Sequence, residues 1–164
     1  MSSGRMSADT DVPGVIAPPP LIFLFFLLGG IAIDATLHLA LFAQGTDQIP
    51  RWAGGGALVA AAMLVMGAGI RGFRRAGTPV PTREPTRALV TTGAHGLSRN
   101  PLYISLYLYY LGIAVLSNSV AALVLVLPLA IVIRYFVVAR EERYLERKFG
   151  DDYLAYKARV PRWL

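Results

Sequence analysis

The sequence contains no cysteine and only two histidines, His38 and His95. Without cysteine there is no disulfide, no thiolate nucleophile and no sulfur-ligated metal centre. Two histidines are too few for a multi-histidine centre, so no metal is expected. Charge is scarce as well: Asp, Glu, Lys and Arg make up 16% of the 164 residues, against about a quarter in an ordinary soluble domain. The shortage is uneven, because charge is nearly absent from several long blocks. That leaves little chain for a separate soluble domain.

Apolar residues fill those blocks and account for 55% of the chain. The pattern predicts an all-α polytopic membrane protein with about four transmembrane helices, the last two forming a hairpin, followed by a cytoplasmic C-terminal helical segment. Residues 1–20, ending in Pro18-Pro19-Pro20, read as a mobile tail. Residues 21–73 carry the first two spans, Leu21 to Ala43 and Ala53 to Ile70. Residues 74–164 form the third region. It comprises most of a polar stretch that runs from Gly72 to Asn100, spans at Leu102 to Leu116 and Val120 to Ala139 with a kink expected at Pro128, and the charged C-terminus.

The net charge of +6 is concentrated beside these spans. Arg71, Arg74, Arg75, Arg83, Arg87 and Arg99 face only Glu84 in the polar stretch, and the C-terminal part is also basic. An even number of spans puts both termini and this stretch on one side, and the positive-inside rule makes that side cytoplasmic. The expected location is an integral membrane protein, in a bacterial inner membrane. The charge flanks apolar spans, so nucleic acid is not an expected partner.

Two polar clusters bracket the predicted hairpin. Ser98-Arg99-Asn100-Pro101-Leu102-Tyr103 leads into one span, and Arg140-Glu141-Glu142 follows the next. If Ser117-Asn118-Ser119 is a turn, both return to the same membrane face and can build one site. Elsewhere, Asp34 and His38 lie four residues apart on one face of the first span. Their presence there implies either a substrate or proton contact or a structural hydrogen bond between helices, and the structural role is preferred. The second span, with Gly54, Gly55, Gly56, Gly67 and Gly69, reads as a close-packing element that also permits a homo-dimer. Tyr103, Tyr107 and Tyr110 share a face, with packing expected for the latter two. Gly150 is expected to end one helix before a last short one.

The run Leu89-Val90-Thr91-Thr92-Gly93, the Ser98 to Tyr103 cluster, Glu141-Glu142, Phe149-Gly150-Asp151-Asp152-Tyr153, Tyr156 and Arg159-Val160-Pro161-Arg162-Trp163 together resemble the isoprenylcysteine carboxyl methyltransferase family. Phospholipid methyltransferases are its wider relatives. The resemblance covers about half of the chain, residues 77–164. It implies an integral-membrane methyltransferase that uses S-adenosyl-L-methionine and acts on a lipophilic, isoprenoid or lipid-like acceptor entering from the bilayer. Carboxyl O-methylation is the favoured chemistry. By motif position, the cofactor would be held by Arg87, Ala88, Leu89, Val90, His95, Asn100, Pro101, Leu102, Tyr103 and Glu141. The catalytic group would comprise Arg99, Glu141 and Glu142. His95 stands where the family commonly has Tyr, and Val137 stands where it has a substrate-contacting Arg. Other readings are a phosphatidylethanolamine-type N-methyltransferase, an NADPH-dependent sterol-type reductase, and a non-enzymatic protein that keeps only the fold.

Overall fold

The fold was obtained as a computed structural model, which describes residues 17–43, 45–80 and 86–164. Most of the N-terminal tail, Gln44, and Pro81 to Pro85 with Arg83 and Glu84 lie outside the described residues. The elements are α1 (Pro19–Leu37), α2 (Ile49–Arg75), a single-turn α3 (Ala94–Leu97), α4 (Pro101–Leu116), α5 (Val120–Val132) and α6 (Ala139–Arg159). A π-helical stretch, Ile133–Val138, joins α5 to α6 without a break. Among the described residues, α1, α2 and the run Val120–Arg159 are long and apolar enough to cross a membrane, and α4 is a shorter apolar helix. The protein is therefore a polytopic, all-helical membrane protein.

The first helix stops earlier than hydropathy suggests. Its 19 residues span roughly 28 Å at 1.5 Å per residue. The chain leaves the helix because His38 adopts the left-handed conformation, φ 55, with its backbone N–H donating to the carbonyl of Asp34. The apolar residues that follow fold back onto the α4–α5 turn. There the Asn118 side chain accepts from the Phe42 N–H at 2.7 Å and donates to the Phe42 carbonyl at 3.0 Å. Hydropathy sees only that Leu39 to Ala43 are apolar; the turn that receives them lies 76 residues away.

Asp34 belongs to the same end of the bundle. It is buried, and both carboxylate oxygens accept from the Ala121 N–H at 3.1 Å. The Ser119 hydroxyl also donates to it. Its carboxyl group therefore sits at the N-terminus of α5, where it accepts from an N–H that the helix itself leaves unpaired. This is the structural alternative. His38 is exposed and does not join it.

Helix α2 runs 27 residues, from Ile49 to Arg75, well beyond the apolar window. It packs along α4 with backbone nearly on backbone. A Cβ added at Gly112 would sit 3.0 Å from the Gly55 carbonyl oxygen and 3.1 Å from the Val59 nitrogen. One added at Gly69 would strike Leu102. Gly55 and Gly69 are thus used within the chain, whereas Gly54 and Gly56 have nothing within 4 Å. The Gly-x-Gly-x-x-Gly spacing at residues 67–72 lies inside this helix, not at the strand-to-helix turn that gives such a run its phosphate-binding meaning.

The core joins Phe23 and Leu27 of α1, Tyr110 and Ala114 of α4, and Ala122, Leu129, Ile133, Val137 and Val138. Tyr110 donates its hydroxyl to the Ala122 carbonyl at 2.7 Å, and Tyr107 meets Phe23 edge-on at 4.9 Å. Pro128 does not interrupt α5. The departure from α geometry comes one turn later, in the π-helical stretch. Gly150, at φ 50 and ψ −125, breaks the C-terminal helix into two arms. The second arm buries Tyr153, Tyr156 and Val160 against Leu89, Leu145 and Phe149.

Candidate functional site

A cavity of about 400 Å³ opens at the end of the bundle where α2 finishes and α4 begins. One wall is apolar: Met66, Ile70 and Phe73 of α2 face Leu102 and Leu106 of α4, with Pro18 to Pro20 at the start of α1. The other is polar or aromatic: Arg99, Asn100, Tyr103, Glu141, Glu142, Tyr144, Tyr153 and Tyr156. Thr86 and Ala88 to Val90 bring the polar connection across, and His95 of α3 completes the lining.

Of the residues expected from the sequence, Ala88, Leu89, Val90, His95, Arg99, Asn100, Pro101, Leu102, Tyr103, Glu141 and Glu142 all line this one cavity. The turn at Ser117 to Ser119 brings the two polar clusters back to the same end. Arg87 is the exception. It is exposed and off the lining, its backbone N–H tied to the Thr78 hydroxyl at 2.8 Å.

Tyr103 lies in the first turn of α4, and its hydroxyl donates to Oε1 of Glu141 at 2.8 Å. Glu141 thereby keeps a defined orientation against the cavity. Glu142, its neighbour, is held between two guanidinium groups. Arg99 approaches Oε1 at 2.9 Å, and Arg162 grips the carboxylate in a two-pronged contact at 2.8 and 2.7 Å. Charge-assisted pairs of this geometry are strong and directional. The contact with Glu142 raises Arg162 above its already high ordinary pKa.

Arg162 is the residue the sequence reading left without a role. Its main-chain carbonyl accepts from the Ser98 hydroxyl at 3.1 Å and from the Asn100 amide at 3.0 Å. The Pro161 carbonyl accepts from the Arg99 N–H at 2.9 Å, and Trp163 meets Tyr107 edge-on at 6.1 Å. The C-terminal segment is thus a strap tied to both polar clusters. The Asn100 amide, expected to face a ligand, gives one of its N–H groups to this strap. The signal was present in the Val160-Pro161-Arg162-Trp163 run that carries part of the family resemblance, but the sequence did not show what that Arg would meet.

His95 is buried with its ring edge-on to Phe73 at 4.7 Å, and its carbonyl accepts from the Tyr156 hydroxyl at 2.7 Å. Burial lowers its pKa to about 4, so the imidazole is neutral at physiological pH. Four buried side-chain polar atoms among the described residues have no protein partner: Nε of Arg51, Oγ1 of Thr86, Nδ1 of His95 and Nε of Arg99. Three of these four belong to residues lining the cavity. Buried polar atoms are normally satisfied, so their concentration here points to a ligand-binding region.

The phospholipid methyltransferase family model matches residues 50–152. That span runs from the start of α2 to just past the Gly150 break, and leaves α1 and the strap outside. Over 64 residues the chain is 48% identical to an uncharacterized protein of Haemophilus influenzae, covering 38% of this chain and the whole of that relative. Over 83 residues it is 35% identical to the Protein-S-isoprenylcysteine O-methyltransferase B of Arabidopsis thaliana, covering 48% of this chain and 40% of that relative. No solved structure gives a significant match.

Proposed function

Because the chain belongs to the phospholipid methyltransferase family and is an integral-membrane methyltransferase, we propose that its cavity binds S-adenosyl-L-methionine beside a lipophilic methyl acceptor. The carrying observation is the cavity's division into an apolar wall and a polar wall that holds unpartnered buried atoms. A volume of about 400 Å³ is within the range of small-molecule sites. The residues present fit the cofactor: a cation for its carboxylate, an acid for its ammonium or hydroxyls, and aromatic rings for its base.

When bound, the cofactor supplies a methyl group activated on a sulfonium. The protein needs no metal or covalent intermediate for such a transfer; it must align two reactants and keep water out. Arg99 has a free Nε for an anionic group, while its Nη1 is fixed on Glu142. Glu141, oriented by Tyr103, is the acceptor for hydroxyl or ammonium hydrogens. Glu142 acts one step away, by positioning Arg99. The wall of Met66, Ile70, Phe73, Leu102 and Leu106 suits an acyl or isoprenoid chain.

The chemical class of the acceptor is bounded by Val137. It is completely buried in the core, so no cation stands there to receive an acceptor carboxylate. A phospholipid amine is therefore a second acceptor class, favoured by the family description, beside the isoprenylcysteine carboxylate named for the Arabidopsis relative. The family match stands against the NADPH-dependent reductase. The site faces the cytoplasm in this reading, because the basic ends of the helices gather around it.

Calorimetry on the detergent-solubilised protein tests the cofactor assignment. S-adenosylhomocysteine is expected to bind and NADPH to leave no signal. Arg99→Ala is expected to weaken S-adenosylhomocysteine by about tenfold or more, as for a charged hydrogen bond lost from a buried site. Binding of NADPH alone, or unchanged affinity in a folded Arg99→Ala protein, would remove the assignment.

A further inference from the structure

A second recess, of about 410 Å³, lies across the Leu89–Val90 wall from the cavity. Among the described residues its lining contains two cations, Arg71 and Arg75, and no acid. The arginines are one helical turn apart near the end of α2, both exposed, and Thr91 and Thr92 add hydroxyl groups from the facing segment. Ala68, one turn before Arg71, marks the apolar end of the recess.

We propose that this recess is a phosphate-binding site, and that its occupant is the headgroup of an anionic phospholipid of the adjacent leaflet. Two arginines lining a concave surface with no carboxylate among its described residues leave a local positive charge that a phosphate neutralises with paired hydrogen bonds. The depth agrees: Arg71 and Arg75 stand where an apolar span meets water, and headgroup phosphates lie at that level. The bias of arginines to one membrane side accounts for their presence near α2's end, but it does not require two of them to line one recess with hydroxyl groups opposite. Leu89 and Val90 line both hollows.

Native mass spectrometry and thermal melting of the full chain test this. The protein is released from nanodiscs of phosphatidylcholine alone or of phosphatidylcholine with phosphatidylglycerol; a third sample in phosphatidylcholine receives inorganic phosphate. One phosphatidylglycerol is expected to stay bound and to raise the Tm, with no shift from inorganic phosphate. The Arg71→Gln/Arg75→Gln variant is expected to hold it about tenfold more weakly or worse, and Arg74→Gln within about twofold of wild type. Both variants are expected to keep S-adenosylhomocysteine affinity, which shows that they fold. An equal loss in Arg74→Gln means diffuse surface charge and overturns the site. A shift from inorganic phosphate equal to that from phosphatidylglycerol overturns the lipid assignment. Retention by the double variant overturns the proposal altogether.

Discussion

At the residue scale, His95 gives the clearest dependence on conditions. Its pKa falls from the ordinary 6.5 to about 4 on burial. The unfolded chain therefore takes up a proton near pH 6.5 while the folded protein refuses it until about pH 4. Stability is fully present above the unfolded value and is lost as the pH falls across that window. The expected outcome is a fall in Tm between pH 7 and pH 5 that is smaller in His95→Phe. An identical fall in both proteins would mean that His95 is protonated without penalty. Residues like this were legible because their motifs are local: eleven of the positions assigned from the sequence surround one cavity. Arg87 and Arg162 were not, for the same reason in opposite directions. Each sits in a recognisable run, but whether an arginine turns toward a cavity or toward water depends on groups distant in the chain, here Glu142 for Arg162.

At the element scale, the contact between α2 and α4 makes the sharpest demand on side-chain size. At Gly112 the nearest opposing atom is Cγ2 of Val59 at 2.8 Å, and behind it stand the Gly55 carbonyl and the Val59 nitrogen, both backbone and unable to swing aside. Gly112→Ala is expected to cost about 1–3 kcal/mol, the usual penalty of overpacking, read as faster thermal inactivation in detergent. Gly54→Ala, on the same pair of helices but with nothing within 4 Å, is the control and is expected to be neutral. Equal effects at both would remove the close approach as the cause. The existence of these helices was readable from apolar runs, and so was the packing role of the glycines. Their ends were not. Hydropathy carries α1 through Ala43, whereas the left-handed turn at His38 and the receiving side chain of Asn118 end it at Leu37. Likewise, Pro128 drew attention to α5, but the helix widens at Ile133–Val138.

At the scale of the whole molecule, the polar side of the cavity, drawn from residues 86–103 and 141–156, is tied together by a segment beyond both. The strap fixes Glu142 through the Arg162 guanidinium and fixes Ser98 and Asn100 through the Arg162 carbonyl. Arg162→Ala leaves the carbonyl contacts and deletes the guanidinium, so Glu142 keeps Arg99 alone and draws it from the cavity. Affinity for S-adenosylhomocysteine is expected to fall about tenfold, since a hydrogen bond to a charged group is worth roughly 1.5–3 kcal/mol, with partial recovery in Arg162→Lys. Arg159→Ala, whose side chain is exposed, is expected to leave affinity unchanged; if it matches Arg162→Ala, the strap acts only through general charge. This arrangement works only if the C-terminal segment and the ends of α2 and α4 share one membrane face. The absence of cysteine makes that directly measurable. Ala76→Cys and Leu164→Cys, both at exposed positions, are expected to react with an impermeant thiol reagent from the same side of sealed vesicles, and Thr46→Cys only from the other. Labelling of Thr46→Cys and Ala76→Cys from one side would mean that α2 does not cross the bilayer. The apolar wall of the cavity would then be cut off from any acceptor arriving through the lipid.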